Sequence, residues 1–141
     1  MPAASTEAGD AIRWLRVSYW TGAITDALAA VQMLVPSLFA FGNGLAGFAP
    51  GRDYRFAMGM GASLMLGWTV LLLWADQRPI ERRGVLLITI VPVIAGLAVN
   101  EMVAVRAGFL PPWSQAPVWL LQAVLTMLFW TSYRRAASVA G

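Results

Sequence analysis

The chain has 141 residues, 59% of them hydrophobic and only 12% charged, with a mean hydropathy of +0.65. That charged share is about half of a soluble domain's, too little polar surface to cover a water-soluble fold of this size. The ten basic residues are all arginine, the net charge of +3 is too small and dispersed for a nucleic-acid partner, and the lack of cysteine and histidine excludes disulfides and thiolate chemistry and argues against any resident haem, zinc or iron–sulfur cofactor.

The opening segment MPAASTEAGDAIRW has no basic n-region and carries Glu7 and Asp10. The apolar run behind it is too long for the core of a signal peptide, so it is expected to be retained as a membrane span. Four apolar runs lie between charged punctuation, roughly 17–41, 56–74, 84–105 and 117–133. Each is near the ~20 residues that cross a ~30 Å hydrocarbon core. The first is longer and is expected to tilt or to end early at Pro36. No run has a polar face wide enough for a soluble bundle. The expected fold is therefore all-α: one four-transmembrane-helix bundle over 1–141, without a soluble domain or an inverted repeat.

Direction follows from the arginines. Arg13, Arg16, Arg78, Arg82, Arg83, Arg134 and Arg135 fall on one side, and Arg52, Arg55 and Arg106 on the other. Seven against three predicts cytoplasmic termini, and the expected location is the bacterial inner (plasma) membrane. Trp14, Trp20, Trp74, Trp130 and Tyr133 then make an inner aromatic belt, and Tyr54, Trp113 and Trp119 an outer one.

Small residues at four-residue spacing, Gly59, Ser63 and Gly67 in span two, let backbones approach closely. They serve packing within the chain or a homo-oligomer seam. Gly22 and Ala30 stand in line with Asp26, beside Thr25 and Ala29. Pro92, inside TIVPVIAGLAVNE, removes a backbone bond and clashes with the carbonyl of Ile88, so a kink is expected there.

The most informative residue is Asp26, inside TGAITDALAAVQMLVPSLFAF. At ~1.5 Å of rise per residue it lies ~15 Å above Arg16, near the bilayer centre. The same count puts Gln32, Asn100 and Glu101 ~24 Å from the inner edge, and Gln122 ~6 Å below the outer one, all in one layer. Glu101 also has Arg106 nearby in sequence. A carboxylate at the bilayer centre costs several kcal/mol unless it meets water or a partner. Asp26 is thus expected to be protonated, to face a hydrated cavity, or to meet a cationic ligand or a partner subunit. The candidate ligand-binding residues are Asp26, Gln32, Asn100, Glu101 and Gln122.

Three stretches, DALAAVQMLVP, VPVIAGLAVNEMVAVRAGF and QAPVWLL, resemble the EXPERA family of emopamil-binding sterol isomerases and sigma-2-receptor-like four-helix membrane proteins. The resemblance implies that Asp26 and Glu101 line a pocket for a sterol-like or cationic amphiphile. Span two departs from the family in lacking its acidic residue, and no histidine matches the isomerases' catalytic one. Three functions are left open: binding or transport of a lipophilic or cationic small molecule or lipid, a membrane enzyme acting on lipids with two carboxyl groups as acid and base, and an accessory subunit of a larger membrane complex. The first is favoured.

Overall fold

The computed structural model describes residues 2–140, so both end residues of the expected 1–141 domain lie outside it. The described residues are helical, with no strand among them. The order is α1 (Pro2–Leu34), α2 (Pro36–Asn43), α3 (Arg52–Asp76), α4 (Gly84–Ile88), a π-helical segment (Thr89–Ile94), α5 (Ala95–Arg106) and α6 (Pro112–Ala140).

Prolines set the breaks. The residue before a proline is pushed out of the helical region, and a proline is well suited to a helix's first position. Val35 accordingly is extended (φ −112°, ψ 97°), and Pro36 opens α2 at an angle of 111° to α1. The run 17–41 is therefore one long helix plus a short crosswise one. Gly44 closes α2 in the left-handed region (φ +66°), with Leu45 N–H donating to Ala40 O (2.9 Å) and Gly44 N–H to Phe41 O (3.3 Å). A Cβ at Gly44 would lie 2.8 Å from the Trp113 ring, which ties this turn to the start of α6. Pro92 is absorbed differently from a simple kink. The helix widens around it, and Ala95 N–H reaches back five residues to Ile90 O.

Helix α1 is the centre of the molecule, packed most extensively against α3 and next against α6. α6 in turn carries α4, the π segment and α5. The α1 seam is the stripe Ala11, Leu15, Tyr19, Ala23 and Ala30. At Gly22 the approach is closest: an added Cβ would stand 3.0 Å from both Leu72 Cδ1 and Phe129 Cζ. Leu15, Tyr19, Leu72, Leu86, Phe129 and Ala136 are buried together near the chain termini. Polar groups lock that end. The Ser18 hydroxyl donates to Ser132 (2.8 Å), Ser132 to Trp14 O (3.1 Å), and Tyr19 to Pro79 O (3.2 Å). Asp76 accepts from the Trp20 indole at 3.3 Å and faces Arg16 at 3.8 Å. Arg82 and Arg135 stack on Trp74 and Trp14 at 3.5 and 4.7 Å from the ring centroids. The opposite, far end is looser, and α5 has no buried residue.

Arg52–Asp76 and Gly84–Arg106 are long and apolar enough to cross a membrane, and Thr6–Leu34 with Pro36–Asn43 makes a bent third candidate. α6 is as long, but Gln115, Gln122, Thr126, Thr131 and Ser132 dilute its apolar residues, and it is not among these candidates. Only 11% of the most apolar window of Arg52–Asp76 is buried inside the protein. Leu64, Val70, Val91, Leu120 and Met127 all face outward. Water is a poor solvent for so continuous an apolar surface, and a bilayer is a good one.

Candidate functional site

A groove of about 370 Å³ lies between Gly84–Arg106 and α6. Its walls follow helical spacing. Ile90, Ile94 and Ala98 line one side, and Trp119, Gln122 and Thr126 the other. Ile90 and Ile94 belong to the π segment, so the widened turn at Pro92 shapes the wall itself. Thr89 steadies that segment. Its hydroxyl donates to Val85 O (2.8 Å) and accepts from the Trp68 indole on α3 (3.1 Å).

A polar pair borders this apolar channel, with Gln122 among the lining residues and Glu101 outside them. Gln122 Nε2 donates to both oxygens of Glu101, at 2.9 and 3.1 Å. Glu101 is half-buried, is also hydrogen-bonded by the Trp119 side chain, and is not paired with Arg106, the cation nearest to it in sequence. The ion pairs among the described residues are Arg13–Asp10, Arg16–Asp76 and Arg78–Glu81, all elsewhere. An ionised carboxylate accepts about four hydrogen bonds, so Gln122 and Trp119 leave capacity for a further donor or cation.

The expected polar layer is only partly assembled. Glu101 and Gln122 meet. Asn100, the neighbour of Glu101, points outward and is exposed. Gln32 turns across the break at Val35, where its amide nitrogen lies against Gly42. Asp26 sits on the α1 stripe between Ala23 and Ala30, half-buried, with Oδ2 shielded from solvent and without a hydrogen-bond partner among the described residues. It is not part of the groove wall. No group of three metal-ligating side chains occurs among the described residues.

Two further features stand apart from the sequence expectations. Gly59, Ser63 and Gly67 face away from the rest of the chain. Nothing lies within 4 Å of a Cβ at either glycine, and the Ser63 hydroxyl bonds back to Gly59 O at 3.0 Å. This row takes no part in packing within the chain. A buried polar knot at the far end was also missed: Gln115 Nε2 donates to Asn43 Oδ1 (3.2 Å) and Ser114 Oγ (3.0 Å), and Ser114 to Pro111 O (2.8 Å). Its residues lie at the edge of the Pro-rich loop PPWSQAP, where polar side chains read as exposed. By contrast, Ser18 and Ser132 each stand two residues inside an arginine (Arg16 and Arg134), and that equal depth was available to find their bond.

Comparison of the chain with protein-family models, with curated proteins and with solved structures found no match.

Proposed function

We propose that this protein binds or transports a lipophilic small molecule or lipid with a cationic or hydrogen-bond-donating head. It does so as a four-span protein of the bacterial inner membrane with both termini in the cytoplasm. The apolar body of the ligand lies along Ile90, Ile94, Ala98 and Trp119, and the head meets Glu101 beside Gln122. The observation that carries this reading is a half-buried carboxylate beside an apolar groove, bonded to the neutral side chains of Gln122 and Trp119 and to no cation among the described residues. Such a group is costly in hydrocarbon without a counter-charge, and a ligand head supplies one. Trp119 adds an aromatic face for a cation.

The test uses the purified full chain in lipid nanodiscs and two probes of similar shape, tetraphenylphosphonium and the uncharged triphenylphosphine oxide. The cation is expected to bind more tightly, and Glu101→Gln to remove that preference. Asp26→Asn is expected to leave it in place, because Asp26 is on α1 and is bonded to neither Glu101 nor Gln122. Equal binding of both probes by the wild type, or loss of the preference only in Asp26→Asn, would count against the proposal.

A second reading concerns assembly. The outward row Gly59, Ser63 and Gly67 suits close contact with a second copy, or with another subunit in a larger complex. Gly59→Leu and Gly67→Leu are expected to weaken self-association measured by crosslinking in membranes. Unchanged crosslinking would remove this reading.

A further inference from the structure

Helix α2 is used by neither the groove nor the outward glycine row. Its eight residues, PSLFAFGN, carry no charge. The 111° turn at Pro36 means that if α1 crosses a membrane, α2 runs nearly in the membrane plane at its far side. Its inward side is settled by contacts. Phe39 packs on Phe48 and on Tyr54, with ring centroids 5.6 Å apart in each case. Asn43 accepts the Gln115 amide at 3.2 Å, and Gly44 seats against Trp113. The outward side is then Leu38 and Phe41, 46% and 88% exposed.

What covers that side is indicated by its surroundings. Phe56, Phe109 and Trp113 are exposed at the same end of the molecule. Arg52, Arg55 and Arg106 are exposed there too. Aromatic rings beside arginines match the headgroup zone of a bilayer, where rings sit at the interface and cations meet lipid phosphates.

We infer that α2 is an in-plane anchor seated in the membrane interface, with Leu38 and Phe41 inserted among the lipids of the far leaflet. The inference rests on the membrane-spanning reading above. Through Phe39 and Asn43 the anchor fixes the level of the far ends of α3 and α6 relative to the bilayer. Its apolar side and crosswise direction follow the pattern of interfacial helices, with the basic residues supplied by neighbouring segments rather than by α2 itself.

The absence of cysteine makes the test direct. Single variants Leu38→Cys, Phe41→Cys, Leu28→Cys (mid-α1) and Ala49→Cys (exposed loop) of the full chain are labelled with a nitroxide in phosphatidylcholine–phosphatidylglycerol vesicles. Collisions with oxygen are compared with those of a water-soluble nickel complex. Positions 38 and 41 are expected to favour oxygen several-fold at one shared shallow depth, with 28 deeper and 49 favouring nickel. If 41 behaves like 49 while 28 stays lipid-buried, the anchor is refuted and the spanning reading survives. If 28 is also reached by nickel, the spanning reading fails with it. Spin–spin broadening between copies labelled at 41 would assign the face to a second copy and overturn the anchor.

Discussion

Replacing Gln122 by leucine would leave the Glu101 carboxylate, beside the apolar groove, with Trp119 as its remaining side-chain partner. The two bonds it loses measure 2.9 and 3.1 Å and run to a group that is charged when ionised. In water-soluble proteins a hydrogen bond to a charged group contributes ~1.5–3 kcal/mol, and leaving its partner unsatisfied costs the full desolvation penalty. Between membrane helices the measured contributions are smaller, averaging ~0.6 and reaching ~1.7 kcal/mol, because the unfolded chain in the membrane finds other partners. One amide shared by two carboxylate oxygens belongs at the upper part of that range, so Gln122→Leu is expected to destabilise by ~1–1.7 kcal/mol. Removing both partners is different, since two apolar groups of similar shape leave nothing unsatisfied. Glu101→Leu with Gln122→Leu should therefore be less destabilised than the sum of the two single variants, by ~1 kcal/mol or more. The assay is reversible unfolding in bicelles against sodium dodecyl sulfate, run on the wild type, both single variants and the double variant. Additivity within ~0.3 kcal/mol would refute the pairing and with it the reasoning about the groove's polar end.

Four other outcomes follow from the packing. Gly22→Leu drives a side chain into Leu72 and Phe129, and is expected to cost ~1–3 kcal/mol in the same unfolding assay. Gly59→Leu, with open space at its Cβ, should stay within ~0.5 kcal/mol, and equal losses at the two sites would contradict the seam described here. Gly44→Ala places a side chain at φ +66° and against the Trp113 ring, so a loss of ~1–2 kcal/mol is expected, with a change in Trp113 emission. Pro92→Ala restores a backbone donor and is expected to draw the π segment toward an α-helix. Stability should hold or rise while cation binding in the groove weakens several-fold, and unaltered binding would show that the widened turn does not shape the site.

Much of the helical architecture could be read along the chain, because proline and charge act locally. Pro36 and Pro92 mark the places where backbone bonds must be rearranged, and both are sites of departure from the α-helix. The form of the second departure, a widened turn, depends on how α6 and Trp68 hold the segment. Counting rise per residue also brought Glu101 and Gln122 to one level, and they are bonded. Depth alone says nothing of rotation about the helix axis. Asn100 follows Val99 and precedes Glu101, and a step of about 100° per residue keeps the two polar neighbours from sharing one face. Gln32 lies within α1, two residues before its end at Leu34, and its amide is turned toward Gly42 beyond the bend, a direction that depth does not give. Asp26 was recognisable as an isolated acid, but its position on the α1–α3 seam is set by which small residues line that seam, Ala23 and Ala30 among them. The outward placement of Gly59, Ser63 and Gly67 was similarly out of reach, since spacing identifies a close-packing row without identifying its partner.

The groove as a ligand site is tested most directly by photolabelling. A long-chain amine carrying a diazirine near its nitrogen would be photolysed with the full chain in nanodiscs, and the modified residues mapped by mass spectrometry. Modification should concentrate on Ala98, Met102, Trp119 and neighbouring wall residues, and should fall when Glu101 is changed to glutamine. Labelling spread evenly over the outward residues Leu64, Val70 and Leu120, at levels unaffected by Glu101→Gln, would contradict a built site between α5 and α6.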